Sequence, residues 1–175
     1  IFYTNLCTSD WRKDEHITSS IVQLYTKGKA FQQLGRFFEA CAETEIDEYG
    51  DYEKALAATE EAKKVICKLA MSTNSDSTSL SLEAVQQWLS VVNKRLSIMR
   101  QFVDSSHILR QAGMRDLDCI NASLEFLHDR NATSHGVIRI GDIYSVLVEY
   151  YVNVAQRIEK ASEIIDNMLK AGLKL

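Results

Sequence analysis

One spaced pattern occurs twice in the chain, and it constrains the fold more than any other feature. The two copies are Phe31-x2-Leu34-Gly35-x2-Phe38 and Val137-x2-Ile140-Gly141-x2-Tyr144, and matched positions lie 106 residues apart. In each copy an alanine, Ala55 or Ala161, follows the aromatic residue by 17 positions. Glycine inside a helix costs roughly 0.5–1 kcal/mol relative to alanine, so a close helix approach must offset that cost. We therefore predict that both glycines lie where two helices cross.

A bulky-x2-Leu-Gly-x2-aromatic pattern followed by an alanine-bearing helix is typical of tetratricopeptide repeats, which are about 34 residues long. Here the aromatic and the alanine are further apart than usual, so both first helices, or their turns, are extended by roughly two helical turns. The chain contains no proline, which favours uninterrupted helices. The predicted fold is an all-α, tetratricopeptide-like, right-handed helical-repeat solenoid with roughly seven helices in antiparallel pairs. We expect residues 1–175 to form a single solenoid segment cut from a longer chain, because it begins at Ile1 and shows no signal peptide.

Capping residues and apolar spacing set the expected helix bounds. Gly50 suits a left-handed helix end and Asp51 can cap the next helix, so one helix should end near Glu48 and the next should run from Tyr52 to about Met71. Residues 72–79 contain no apolar side chain and are predicted to be a mobile surface loop. The other predicted helices span residues 11–26, 82–110, 114–128, 137–154 and 157–171.

The long predicted helix at 82–110 has a heptad-like seam. Its members are Val85, Leu89, Val92, Leu96, Met99 and Val103. Such a seam could form a homodimeric coiled coil, or it could pack against neighbouring helices of the same solenoid. The stripe is widened by Trp88, Val91, Ile98 and Phe102, so we favour the solenoid core.

No arrangement of reactive residues points to catalysis. The four histidines are scattered, no glycine-rich phosphate loop is present, and no two cysteines form a CxxC pair. We expect Cys7, Cys41, Cys67 and Cys119 to be reduced, and mostly buried as small apolar side chains. The net charge of −4 argues against nucleic-acid binding, and no apolar run is long enough to span a bilayer. The sequence predicts no enzyme, no metal site, no cofactor and no direct membrane insertion.

Three acidic side chains on the first repeat helix form a candidate partner surface. On a helical wheel Glu39, Glu43 and Asp47 fall within about 80° of one another. They lie opposite the apolar arc that includes Phe31, Leu34, Phe38 and Cys41. This acidic ridge is therefore predicted to point away from the helix's own packing face. It is either ordinary solvated surface or a surface that steers a basic partner helix.

Several longer strings resemble a known family. They are Asp10-Trp11-Arg12-Lys13, YTKGKA, FFEACAETEIDEYGDYEKA, and IRIGDIYSVLVEYYV at 138–152, together about half of the chain. These strings resemble the C-terminal tetratricopeptide-repeat region of the hundred-and-forty-kilodalton subunits of intraflagellar transport complex A. The resemblance implies a ciliary or flagellar protein on the cytoplasmic, reducing side. It also implies partners among the other subunits of that complex, and a role in retrograde transport and ciliary entry of membrane proteins.

The residues and the resemblance leave three candidate functions for this chain. The favoured one is a non-catalytic scaffold that holds subunits of the complex together. The second is an adaptor that reads a cargo or peptide segment in its groove, although the acidic ridge disfavours a groove for carboxylate tails. The third is a homodimer formed through the long helix.

Overall fold

The structure, a computed structural model, describes residues 15–72, 81–111, 116–129, 136–170 and 172. These residues form seven α-helices and no strand, which confirms the all-α prediction. The helices are α1 (Glu15–Lys27), α2 (Phe31–Thr44), α3 (Tyr52–Ser72), α4 (Leu82–Arg110), α5 (Leu117–His128), α6 (Ile140–Glu149) and α7 (Ile158–Lys170). Two short π-helices, π1 (Glu45–Tyr49) and π2 (Tyr150–Val154), continue α2 and α6 directly.

Contacts between side chains show how successive helices run. On α3 and α4, Glu53 lies 2.7 Å from His107 and Glu60 lies 2.5 Å from Arg100, so these two helices are antiparallel. On α2 and α4, the partners of Glu39 and Glu43 are Trp88 and Arg95, so these two helices run in the same direction. This alternation is the arrangement expected of helix pairs stacked in a solenoid.

The largest buried cluster lies where α3, α4, α5 and α6 meet. Its fully or nearly fully buried members include Ala55, Met99, Leu109, Ile120 and Leu147. A second cluster joins the C-terminal part of α3 to the N-terminal part of α4. Four members of the α4 seam (Val85, Val92, Leu96 and Met99) are buried within the chain. A coiled-coil dimer through that seam would have to expose this core again.

The two copies of the pattern share the same helix-to-helix turn. Gly50 and Gln156 both have left-handed backbone angles, with φ of 62° and 53°. One residue later, Asp51 donates its N–H to the Glu45 carbonyl at 3.0 Å, and Arg157 donates to the Tyr151 carbonyl at 2.8 Å. Each bond reaches back six residues, one further than the 6→1 bond of a Schellman cap, so the turn is a widened form of that cap at the end of a π-helix. The π-helices and this cap account for the longer spacing between aromatic and alanine in both copies.

The second copy departs from the prediction at its start. Helix α6 begins at Ile140, not at Val137, because Arg139 has an extended ψ of 135° and serves as the N-cap. Ile140 is 44% exposed, whereas its counterpart Leu34 is 3% exposed. Gly141 therefore lies in the first turn of α6, and no described residue comes within 4 Å of a Cβ built there. The predicted close crossing at Gly141 is wrong for the part of the chain that the structure describes.

Other details of the prediction also change. Helix α5 begins at Leu117, capped by Asp116, and Leu117 itself is exposed. Cys119 is exposed, while Cys41 and Cys67 are partly buried. Val91 is exposed, so it does not widen the packed stripe of α4. Trp11, Cys7 and residues 73–79 of the predicted loop lie outside the described residues.

Candidate functional site

Three helices meet closely at Gly35. A Cβ at this position would lie 2.8 Å from Cη2 of Trp88 on α4 and 3.4 Å from Cγ1 of Ile66 on α3. The indole N–H of Trp88 donates to Oε2 of Glu39 at 3.0 Å, which fixes the ring over the glycine. Leu34 is buried beside this contact, and Phe31 and Phe38 are partly buried. The absence of a side chain at Gly35 thus allows α4 to approach α2.

The acidic ridge is not the free outer surface that the helical wheel suggested. Glu39 is partly buried and accepts the Trp88 hydrogen bond, and Glu43 lies 3.3 Å from Arg95 on α4. The wheel assumed one packing face, but a helix inside a solenoid has neighbours on two sides. The prediction that the ridge points away from packing is therefore wrong for Glu39, whereas Glu43 is exposed and meets α4 only through a surface ion pair. The side chain of Asp47 is exposed.

The start of α3 and the start of α6 are joined by what we call the Tyr52 junction, formed by Tyr52, Arg139 and Asp142. The Tyr52 hydroxyl donates to Oδ2 of Asp142 at 2.6 Å and accepts the backbone N–H of Arg139 at 3.0 Å. The Arg139 guanidinium donates to both carboxylate oxygens of Asp142, at 2.7 and 3.1 Å. It also donates to the main-chain carbonyl of Asp47 at 2.8 Å. Three hydrogen bonds therefore tie π1 and α3 to the start of α6, and two more between Arg139 and Asp142 hold that start together.

Burial and charge keep the Tyr52 hydroxyl protonated. Burial, followed by the hydrogen bond to Asp142, raises the pKa of Tyr52 well above its usual range. Its ring packs edge-on against Phe102 of α4, with the ring centroids 4.6 Å apart. The hydrogen bond to Asp142 also raises the pKa of Arg139. The tyrosine is thus a stable donor to a carboxylate that is itself neutralised by an arginine.

The sequence contained both halves of this junction but not the contact between them. Tyr52 and Asp47 belong to the EIDEYGDYEKA string, and Arg139 and Asp142 belong to the RIGD string, which follows more than eighty residues later. Each string is distinctive on its own, and spacing along the chain carries no signal that they touch. A long-range contact of this kind depends on how α4 and α5 bring the pairs together.

A groove lies beside the junction, and we call it the α4–α6 groove. It has a volume of about 470 Å³ and lies between the turn at 49–53, the C-terminal half of α4, and α6. Val103 and Val146 contribute apolar surface, and Ser106 lies among them. The charged side chains along it are Asp51, Glu53, His107, Arg110 and Asp142. The described part of the chain contains no group of three or more His, Cys, Asp or Glu side chains that could hold a metal ion.

The fold, the crossing at Gly35 and the Tyr52 junction define a helical-repeat interaction module of the tetratricopeptide class. None of the helices that the structure describes is long and apolar enough to cross a membrane. The family model for the C-terminal TPR domain of the hundred-and-forty-kilodalton intraflagellar transport subunit matches residues 32–169. The chain belongs to this family, so it is a tetratricopeptide-repeat module of an intraflagellar transport complex A subunit, associated with the cilium. The family fold is a non-catalytic one used for protein interaction.

The matched range includes both copies of the repeat pattern except Phe31, together with the EIDEYGDYEKA and RIGD strings. It begins after the Asp10–Lys13 and YTKGKA strings, so the family assignment depends on the repeat helices.

Proposed function

We propose that this chain is a non-catalytic scaffold within intraflagellar transport complex A, where it holds other subunits of the complex in fixed positions. Through that role it supports retrograde ciliary transport and the ciliary entry of membrane proteins. The observation that carries the proposal is the family match over residues 32–169. The partners are therefore sought among the other subunits of the complex.

The long-range contacts of the described helices suit a scaffold. A scaffold must keep distant surfaces at a constant separation, and local helix-to-helix packing alone leaves each pair free to change its angle slightly. The Tyr52 junction links α3 to α6 directly, while α4 packs against both. Hydrogen bonds to charged groups contribute about 1.5–3 kcal/mol each, so the junction resists a change in the angle between the pairs.

Co-expression of the full chain with the remaining subunits of complex A tests the scaffold directly. We expect the chain to co-purify with at least one subunit, and the isosteric change Asp142→Asn to weaken that assembly while leaving the helical content unchanged. Ser162→Ala, at an exposed position of α7, is the matched control. A chain that folds but co-purifies with none of the subunits would refute the scaffold.

The cellular role needs a separate measurement. In ciliated cells whose own copy is replaced by the Asp142→Asn variant, we expect transport particles to accumulate at the ciliary tip and membrane receptors to be depleted from the cilium. Normal particle return, in cells where assembly of the complex is measurably impaired, would contradict the link between this module and retrograde transport.

An adaptor that binds a cargo or peptide segment is the second candidate, and the α4–α6 groove favours it. The two functions are separated by the effect of groove substitutions: an adaptor loses cargo binding while the complex still assembles. The homodimer alternative is tested by light scattering over a range of concentrations. A mass that stays at the monomer value rules it out.

A further inference from the structure

We propose that the α4–α6 groove binds a short extended segment of a partner protein that carries a lysine or arginine side chain. The inference deepens the proposed function, because it assigns the chemistry of one contact made by the interaction module. It rests on two independent observations: a buried hydroxyl without a partner in the groove, and a surplus of carboxylates along one wall.

The buried hydroxyl belongs to Ser106. Its side chain is 4% exposed and lines the groove, and its Oγ has no hydrogen-bond partner among the described residues. Two other buried helical hydroxyls among the described residues are satisfied by the carbonyl four residues earlier. Thr59 bonds the Ala55 carbonyl at 2.8 Å, and Ser123 bonds the Cys119 carbonyl at 2.8 Å. An unsatisfied buried hydroxyl costs about 1–3 kcal/mol, which a ligand that bonds to it would recover.

The charged wall is the turn at 49–53, where Asp51 and Glu53 line the groove and no basic side chain lies among them. The positive groups on the opposite side have their own partners, since Arg110 lies 2.8 Å from Glu149 and Arg139 lies 2.7 Å from Asp142. Asp51 is paired with Lys54, whereas the one ion-pair partner of Glu53 in the described part of the chain is the imidazole of His107, which is charged only when protonated. Glu53 is therefore the carboxylate on this wall best placed to receive a lysine or arginine.

An aromatic ring completes the site for a cation. Tyr49 is 56% exposed and lines the groove at the end of π1. A lysine or arginine over the face of a tyrosine gains about 0.5–1 kcal/mol at an exposed site. Val103 and Val146 offer apolar surface to the aliphatic stem of such a side chain or to its neighbour.

The size of the groove limits the length of the occupant. It follows α4 from Val103 to Arg110, which is about 10 Å of helix at 1.5 Å per residue. An extended chain spans about 3.3 Å per residue, so roughly three residues of the partner fit. A backbone N–H or carbonyl of that segment would bond to the Ser106 hydroxyl, and the basic side chain would reach Glu53 and Tyr49.

The test uses the full chain and a positional-scanning library of short peptides in which each pool fixes one residue type at one position. We expect the lysine and arginine pools to bind most tightly. Ser145→Tyr, which fills the groove from an exposed position, should abolish this preference, and Glu53→Lys should weaken binding about tenfold or more. The matched controls are Ser97→Tyr, at an exposed position of α4 outside the groove, and Glu60→Lys, which breaks a different α3–α4 ion pair. Both controls should bind as the unmodified chain does.

Ser106→Ala separates a binding role from a structural one. It should weaken binding of the best single peptide about three- to tenfold, yet leave the melting temperature unchanged or raised, because it removes an unsatisfied hydroxyl. Ser123→Ala, which removes a satisfied hydroxyl outside the groove, should leave peptide binding unchanged.

The proposal is overturned if the acidic or apolar pools bind best, if no pool is selected, or if the groove variants bind as well as their controls. This outcome is distinct from failure of the scaffold. A chain that co-purifies with complex A subunits but selects no lysine or arginine overturns the groove alone. A chain that selects them but assembles with no subunit overturns the scaffold alone.

Discussion

Alanine at the two pattern glycines should have opposite effects on stability. Replacing glycine by alanine within a helix contributes about 0.8–1 kcal/mol through propensity. At Gly35 the new Cβ would lie 2.8 Å from Trp88, well inside the 3.5–4 Å of an ordinary carbon contact. Trp88 cannot swing away freely, because its N–H is bonded to Glu39. Overpacking of this kind costs about 1–3 kcal/mol, so Gly35→Ala should destabilise the chain by about 1 kcal/mol net.

Gly141→Ala meets no described atom within 4 Å and should stabilise the chain by about 0.5–1 kcal/mol. The two variants should thus differ by about 3–8 °C in melting temperature, at roughly 2–4 °C per kcal/mol for a chain of this length. Thermal unfolding followed by circular dichroism measures both. A double-mutant cycle with Trp88→Phe, which shortens the ring, should remove most of the Gly35→Ala cost. Equal melting temperatures for the two glycine variants, or a cost at Gly35 that persists without the tryptophan, would refute the reasoning.

Four further substitutions test the turn, the junction and the cap by urea unfolding. Gln156→Gly should stabilise the chain by about 0.5–1 kcal/mol, because the left-handed conformation costs a non-glycine residue about 1–2 kcal/mol. Gly50→Ala should destabilise the chain by at least about 1 kcal/mol, because alanine would have to adopt the left-handed conformation that glycine holds there. If both variants stabilise or both destabilise the chain, the two copies do not share this turn. Tyr52→Phe should lower the free energy of unfolding by about 1–3 kcal/mol, because the Arg139 N–H and the Asp142 carboxylate lose their bonds to the hydroxyl. A loss below about 0.5 kcal/mol would show that the junction adds little stability. The hydrogen bond from the Lys54 N–H lowers the pKa of Asp51 in the folded chain, so the stability that this bond contributes is present above about pH 3.9 and is lost as pH falls through the lower folded pKa. Asp51→Asn should remove this pH dependence of the unfolding free energy while keeping the cap. An unchanged pH profile in the variant would exclude this contribution of Asp51.

Local signals in the sequence predicted local structure well. Gly50 takes the left-handed cap and Asp51 accepts the Lys54 N–H at 3.0 Å, as their residue types indicate. The long helix begins and ends where its apolar period places it, and the structure adds a cap at Ser81, which accepts the Ala84 N–H. These features depend only on residues within one turn of each other, so one stretch of sequence contains all the information they need.

Features that depend on a second helix were predicted less well. The spacing around Gly35 and Gly141 is identical, yet only Gly35 has a tryptophan from α4 over it. The wheel of α2 placed Glu39 outside because it contained no information about where α4 would lie. A helical period specifies which residues share a face, but the number of neighbours around the helix decides how many faces are covered.

The difference between the two copies has a physical cause in the Tyr52 junction. In the first copy the residues before Leu34 belong to helix α2, whereas in the second copy residues 137–139 precede the helix. Val137 and Ile138 are buried in the main core cluster, and the N–H of Arg139 is bonded by the Tyr52 hydroxyl from the first copy. Extending α6 back to residue 137 would withdraw these side chains from the core and break that bond. The second copy therefore lacks most of a helical turn, because residues 137–139 pack against the first copy instead of starting the helix. The same sequence pattern thus forms a helix start in the first copy and a contact between repeats in the second.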